Sequence, residues 1–238
     1  MDEIAKCWDD KAAQWKQWVG ESGDNNRRFN SDPVLKKFAG DVRGKKILDA
    51  GCGAGYLAIS MARDGAEVIG VDLSQKMIQE AASLALEKKS TARFRVDSCE
   101  ELGTVPDASI DILVSNYVLM DLPNLQNAVN SIYRVLTPRG VAVCVIGHPF
   151  GSELKESENY FDEVKKVDRW GPFDSDFIFF HRPLSQYWKA FREAGLEIVD
   201  FDEPVAQNPN IDGFKDEWKA TYRKRPWSVA FKLTKPEH

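Results

Sequence analysis

A chain of 238 residues that is 43% hydrophobic and 29% charged can bury one sizeable core, which excludes global disorder. Lysine and arginine total 32 against 37 acids, a formal charge of −5, and this argues against nucleic acid as a partner. The longest apolar run, Val141 to Ile146, is too short to cross a bilayer, so no membrane partner is expected.

The start, MDEIAKCWDDK, carries acids where a secretory leader needs basic and then apolar residues. A cytoplasmic protein is the expectation. Cys7, Cys52, Cys99 and Cys144 are dispersed with no CxxC pair, so they read as reduced thiols, and no metal site is expected. Residues 1–40 read as a helical cap. Lys11 to Val19 fits a helix with Trp8, Trp15 and Trp18 marking an apolar face. Gly20 to Asn30 reads as a flexible loop, followed by the core. Arg27 or Arg28 is a candidate partner for a ligand carboxylate.

The segment Lys45 to Ser74 is the most telling one. Ile47 and Leu48 belong to a short apolar run, as in a strand buried on both faces. Gly51, Gly53 and Gly55 follow at spacing two, then a helical pattern that Gly65 can stop. Glu67 to Val71 reads as the next strand. Asp72 ends it, 21 residues beyond Gly51, where an acid can accept from both hydroxyls of a ribose. The dinucleotide fingerprint GxGxxG would need glycine at position 56, which is Tyr56. Asp49 beside the turn would repel a diphosphate and suits a cationic amino group. A nucleoside carrying an amino-acid tail satisfies both ends.

At this point DAGCGAG followed by VIGVDLS resembles the first motif and the second-strand acid of class I S-adenosylmethionine-dependent methyltransferases. Arg93 to Ser98 is similar to that family's third-strand motif, and Ser109 to Asn116 to its fourth strand and tip. Ile132 to Gly140 is similar to its "RVLKPGG" helix and turn, with Arg139 in place of the usual glycine. The form is closest to small-molecule enzymes of the ubiquinone/menaquinone type. The resemblance implies an α/β fold: a Rossmann-like seven-stranded sheet of order 3-2-1-4-5-7-6, strand 7 antiparallel, helices on both faces. It also implies S-adenosyl-L-methionine as cofactor and a small-molecule methyl acceptor.

One domain over 1–238 is expected: a cap at 1–40, a cofactor-binding βα core at 41–147, a substrate-side insertion at 148–183 and the rest of the sheet at 184–238. In the last part Leu184 to Ala194 reads as a helix closed by Gly195. Leu196 to Phe201 and Trp227 to Leu233 read as strands. The basic run Tyr222 to Arg225 reads as a solvated face.

Ligands in open α/β sheets sit beyond the carboxyl ends of the strands. That rule groups Asp49, Gly51, Cys52, Gly53, Gly55, Asp72, Asp97 and Asn116 on one edge. Leu73 is expected on the adenine ring, and Asp97 with Ser98 at the adenine amine and ring nitrogen. A general base is needed only for an acceptor protonated at working pH. His148, just after strand five, is the first candidate, with Tyr117 and His181 behind it. The alternatives are a nicotinamide-dependent oxidoreductase, which Tyr56 and Asp49 disfavour, and a non-catalytic S-adenosylmethionine-binding protein. A monomer or a homodimer is compatible with the chain.

Overall fold

In the computed structural model, which describes residues 2–150, 159–205 and 224–237, strand β1 (Lys46–Ala50) is buried at four of its five positions. That burial follows from its place near the middle of the sheet. It pairs in parallel with β2 (Glu67–Asp72) on one side and β4 (Ile110–Asn116) on the other. Strand β3 (Arg93–Val96) adds to β2, and β5 (Leu136–Gly147) adds to β4, both in parallel.

Beyond β5 the direction reverses. The last strand, β9 (Ser228–Thr234), is antiparallel to β5 and to the edge strand β8 (Glu197–Asp202). Two further strands, β6 (Val164–Asp168) and β7 (Phe177–His181), form a separate antiparallel hairpin. With the hairpin set aside, the sheet runs 3-2-1-4-5-7-6, the expected order. Strands β8 and β9 are each shifted by one residue from the sequence reading.

Helices cover both faces. α4 (Tyr56–Arg63) and α5 (Gln75–Glu87) belong to the first half, and α6 (Leu125–Val135) and α7 (Leu184–Glu193) to the second. Ser74 caps α5 by accepting from the Met77 N–H at 3.0 Å, and Asn124 caps α6 through the Asn127 N–H at 2.9 Å. Two buried clusters result, one on each face. Leu113, Ile132 and Phe231 belong to one; Leu35, Leu57 and Val143 belong to the other.

The cap consists of α1 (Asp2–Asp9), α2 (Ala12–Val19) and α3 (Asp32–Ala39). Gly20 to Asn30 is not the flexible loop expected. Its second half enters a π-helical turn, Arg27–Ser31, that runs directly into α3. Asp24 explains the order: its Oδ1 accepts from the Arg27 N–H at 3.1 Å, and its other oxygen pairs with the guanidinium. Loop polarity in the sequence here reflects turn-capping side chains, not freedom. The first part of the insertion, 151–158, and Tyr222 and Arg223 of the basic run lie outside the described residues.

Candidate active site

The turn from Gly51 to Gly55 joins β1 to α4 and is tied to β2. The Gly51 and Cys52 N–H groups both donate to Val71 O, at 2.8 and 2.9 Å. Gly51 has φ +79°, and a Cβ there would lie 2.3 Å from Val118 Cγ2. Only glycine fits, on both counts. Asp72 closes the turn from the other strand. Its Oδ2 accepts from the Gly53 N–H and its Oδ1 from the Ser74 N–H, each at 2.9 Å. Each carboxylate oxygen therefore keeps one lone pair for a ligand hydroxyl.

Three carboxyls line one cavity at this edge: Asp49, Asp72 and Asp121. Asp49 is 2% exposed, and its Oδ2 has no hydrogen-bond partner among the described residues. Burial, reinforced by the Asp72 charge, pushes its carboxyl up to about 7. Burial also raises Asp72 to about 6, against the pull of its two N–H donors. Asp121 ends the 3₁₀ turn Leu119–Asp121 after β4. Burial raises its carboxyl well above the usual carboxylate range, while the Arg27 guanidinium pulls the other way.

The cap supplies the opposite wall. Trp8 and Trp15 meet edge to face, with ring centroids 5.0 Å apart. The Arg27 guanidinium lies 4.8 Å from the Trp15 ring and 5.5 Å from the Tyr117 ring, which orients it over the cavity. Tyr117 takes the left-handed conformation, φ +60°. Its hydroxyl shares a 2.6 Å hydrogen bond with Ser228 Oγ and accepts from Asn26 Nδ2 at 2.9 Å. Asn116 donates from Nδ2 to Asp32 Oδ1 at 3.2 Å, and its own Oδ1 is buried without a partner among the described residues.

Of the residues expected from sequence, Asp49, Gly51, Cys52 and Gly53 line this cavity, as do Asp72, Leu73, Asn116 and Tyr117. Gly55 stands behind the wall. At φ +86° it begins α4, and a Cβ there would sit 2.8 Å from Ala81 Cβ. The close helix approach denied to position 56 is thus made at Gly55.

Four expectations are corrected. The Asp97 carboxylate does not line the cavity: it accepts from the Ser98, Gly103 and Thr104 N–H groups and from Thr104 Oγ1, at 2.6–3.1 Å. Those four bonds use all its acceptor capacity. Ser98, whose Oγ accepts from the Glu100 N–H at 3.1 Å, belongs to the same closed loop; the next residue, Cys99, lines the cavity instead. His148 is buried outside the cavity, with Nδ1 accepting from the Phe150 N–H at 3.1 Å and Nε2 2.7 Å from Glu203 Oε1. Both ring nitrogens are thus engaged, one by the turn after β5 and the other by the residue that follows β8. His181 is bonded through Nε2 to Tyr160 O at 2.9 Å and fixes the insertion.

Two residues were missed. Asp121 was signalled only as a lone acid in the apolar stretch YVLMDL. Arg182, beside His181, is 1% exposed. It donates to Leu122 O at 2.8 Å and Pro123 O at 3.0 Å, and pairs with Glu163 Oε1 at 2.6 Å. It therefore holds the segment that carries Asp121.

A family model described as a methyltransferase domain matches residues 41–192. The chain belongs to that family. It is a class I S-adenosylmethionine-dependent methyltransferase, which decides against the nicotinamide reading. Among its relatives is a ubiquinone biosynthesis O-methyltransferase of Alkalilimnicola ehrlichii, 33% identical over 224 residues, or 83% of this chain and 89% of the relative. An uncharacterized protein of Haemophilus influenzae is 28% identical over 77% of this chain and 80% of its own. In fold the methyltransferase resembles a putative S-adenosylmethionine dependent methyltransferase from Listeria monocytogenes. That structure has a TM-score of 0.69 at 24% identity, covering 86% of this chain and 96% of the other. It also resembles the [4+2]-cyclase SpnF, with a TM-score of 0.70 at 19% identity over 99% and 96%. Among the described residues no helix is long and apolar enough to cross a membrane.

Proposed function

We propose that the cavity at the carboxyl edge of β1, β2 and β4 holds S-adenosylmethionine and that the acceptor is a small molecule methylated on oxygen. The observation that carries the cofactor placement is the buried, unpartnered Oδ2 of Asp49, an acceptor that awaits a cationic donor. In this reading Asp49 takes the ammonium, and the free lone pairs of Asp72 take the ribose hydroxyls. Leu73 and Cys99 flank the adenine, and the glycine turn lets the ligand lie against the backbone. When bound, the cofactor supplies an electrophilic methyl group.

The chain's own part is positioning and exclusion of water. Trp8 and Trp15 close the cavity from the cap, a cover that suits a small acceptor better than a polymer. Tyr117 stands at the tip of β4 with its hydroxyl held by Ser228 and Asn26, which fixes one wall of the acceptor space. Methylation on oxygen rests on the O-methyltransferase named above, to which this chain is similar over most of its length.

The test has two arms. Titration calorimetry with S-adenosylhomocysteine should give micromolar binding, weakened at least tenfold in Asp49→Asn with the fold intact by circular dichroism; unchanged affinity refutes the placement. Incubation with labelled S-adenosylmethionine and a panel of phenols, thiols, amines and carbon acids should label the phenols. Transfer to another class alone overturns the acceptor assignment.

A further inference from the structure

Asp49 supplies one acceptor for the cofactor ammonium, which carries three N–H donors. A buried ammonium with donors left unmade is costly, so a second acceptor is wanted in the same place. The cavity offers one. Asn116 lines it, and the Asn116 Oδ1, like the Asp49 Oδ2, is buried with no partner among the described residues.

The sheet brings these two oxygens to one side. Asp49 lies opposite Val114 in the β1–β4 register, and Asn116 follows Val114 by two residues. With a side-chain period of two, Asp49, Val114 and Asn116 project from the same face. Val114 packs there with Leu35 of α3 and Tyr56 of α4. One strand across and two residues along is roughly 8 Å between backbones, a gap that the two side chains and one bridging nitrogen span. Asp32, bonded to the Asn116 amide, is near enough for its charge to add to the upward push on the Asp49 carboxyl.

The amide can face only one way. Its Nδ2 donates to Asp32 Oδ1 at 3.2 Å and lies 3.4 Å from the Tyr56 hydroxyl. Tyr56 in turn donates to the same Asp32 oxygen at 2.9 Å. A flipped amide would set its oxygen against a carboxylate oxygen. Asp32 and Tyr56 are both buried, and they begin α3 and α4, so neither can follow a flip. An anchoring role for Asn116 would use Nδ2 alone and leave Oδ1 as a cost.

We propose that the Asn116 side chain is a second ligand of the cofactor ammonium, and that Asp32, held by Tyr56, is the positioning residue that turns its oxygen to the cavity. The inference rests on the cofactor placement above. A nucleoside without an amine leaves both oxygens unpaired in a buried place and is bound less tightly. The side chain that replaces the third fingerprint glycine thereby serves recognition of the amino-acid tail.

Calorimetric titration of the full chain with three nucleosides tests this. They are S-adenosylhomocysteine, S-adenosyl-3-thiopropylamine, which keeps the amine and lacks the carboxylate, and 5′-methylthioadenosine, which lacks both. Asn116→Ala should weaken the two amines about tenfold and methylthioadenosine less than twofold. Asp32→Ala should weaken the amines about threefold and add nothing once Asn116 is alanine. Asp32→Asn, which keeps an acceptor oxygen, should recover most of that affinity. An equal loss for all three ligands in Asn116→Ala, or no loss, overturns the proposal, as does a full further loss from Asp32→Ala in the double variant. If Asn116→Ala does not fold, Tyr56→Phe, which deletes one oxygen, decides: a loss of about threefold confined to the amines supports the proposal, and an equal or absent loss overturns it. Asp49→Asn separates the two levels of failure. A preference for amines lost there but kept in Asn116→Ala overturns this inference alone. No preference in the unsubstituted protein refutes the cofactor placement, and this inference with it.

Discussion

Asp49 couples the site to pH. Its carboxyl titrates at about 7 in the folded chain and at about 4 in an unfolded one, so the folded state holds the extra proton between those values. Stability from this group is greatest in acid and falls as pH climbs from about 4 to about 7. Asp49→Asn removes that loss. Its melting temperature relative to the unsubstituted protein should rise across that window and level off above it, as thermal denaturation at a series of pH values would show. Ligand binding has the opposite sense. A cationic ammonium favours ionised Asp49, so affinity for S-adenosylhomocysteine should improve up to about fivefold between pH 6 and 7. Protons should be released on binding, visible in calorimetry as heat that depends on the buffer. Asp49 and Asp72 were legible in the sequence because strand ends and glycine spacing locate them. Asp97 was located equally well, yet its carboxylate is consumed by three N–H groups and a hydroxyl of its own loop. Position along the chain says where an acid stands, and only the neighbouring donors say which way it faces.

Among the elements, the connecting segments differ in tolerance. The β1–α4 turn has no slack: Gly51→Ala adds both a left-handed strain and a 2.3 Å clash with Val118. It should cost at least about 2 kcal/mol and abolish ligand binding, measured by denaturant unfolding and calorimetry. The turn before the long arm of β5 has strain to release. Arg139 sits at φ +62°, and its ion pair with Glu237 is exposed and worth little. Arg139→Gly should stabilise the protein by about 0.5–1 kcal/mol, read as a small rise in melting temperature. The sequence marked this position as a departure from the family glycine, and the backbone does keep the glycine-like conformation. The segment after β4 depends on a distant element. Arg182→Met leaves the Leu122 and Pro123 carbonyls without this donor and Glu163 without its ion pair. It should cost about 3–5 kcal/mol, a fall in melting temperature of roughly 10 °C.

At the level of the whole molecule, the cap and the sheet meet over one cavity, and the hairpin braces the cap. Lys11, fully buried in the cap, donates from Nζ to Cys7 O and to Asp176 O just before β7, and Trp15 packs against Phe173 and Phe177 of the insertion. Asp9 accepts from Ser74 Oγ and so fastens α1 to the start of α5, beside Asp72. Trp15→Ala should therefore act twice. It should destabilise the chain by about 3 kcal/mol through lost packing, and it should weaken S-adenosylhomocysteine binding about tenfold by opening the cover, both measurable on one preparation by denaturant unfolding and calorimetry. The sequence alone located the glycine turn and the two carboxylates at the tips of β1 and β2, while its resemblance to the methyltransferase family implied the sheet order and the cofactor. Those features are local: a strand, its glycine turn and the next strand lie within thirty residues, and their chemistry is written in their spacing. Tertiary structure alone decided that His148 and His181 find their partners outside the cavity, that Arg27 is ordered over it, and that Asp121 lines it under the grip of Arg182. These depend on burial and on partners up to about ninety residues away along the chain, which the spacing of a motif does not encode.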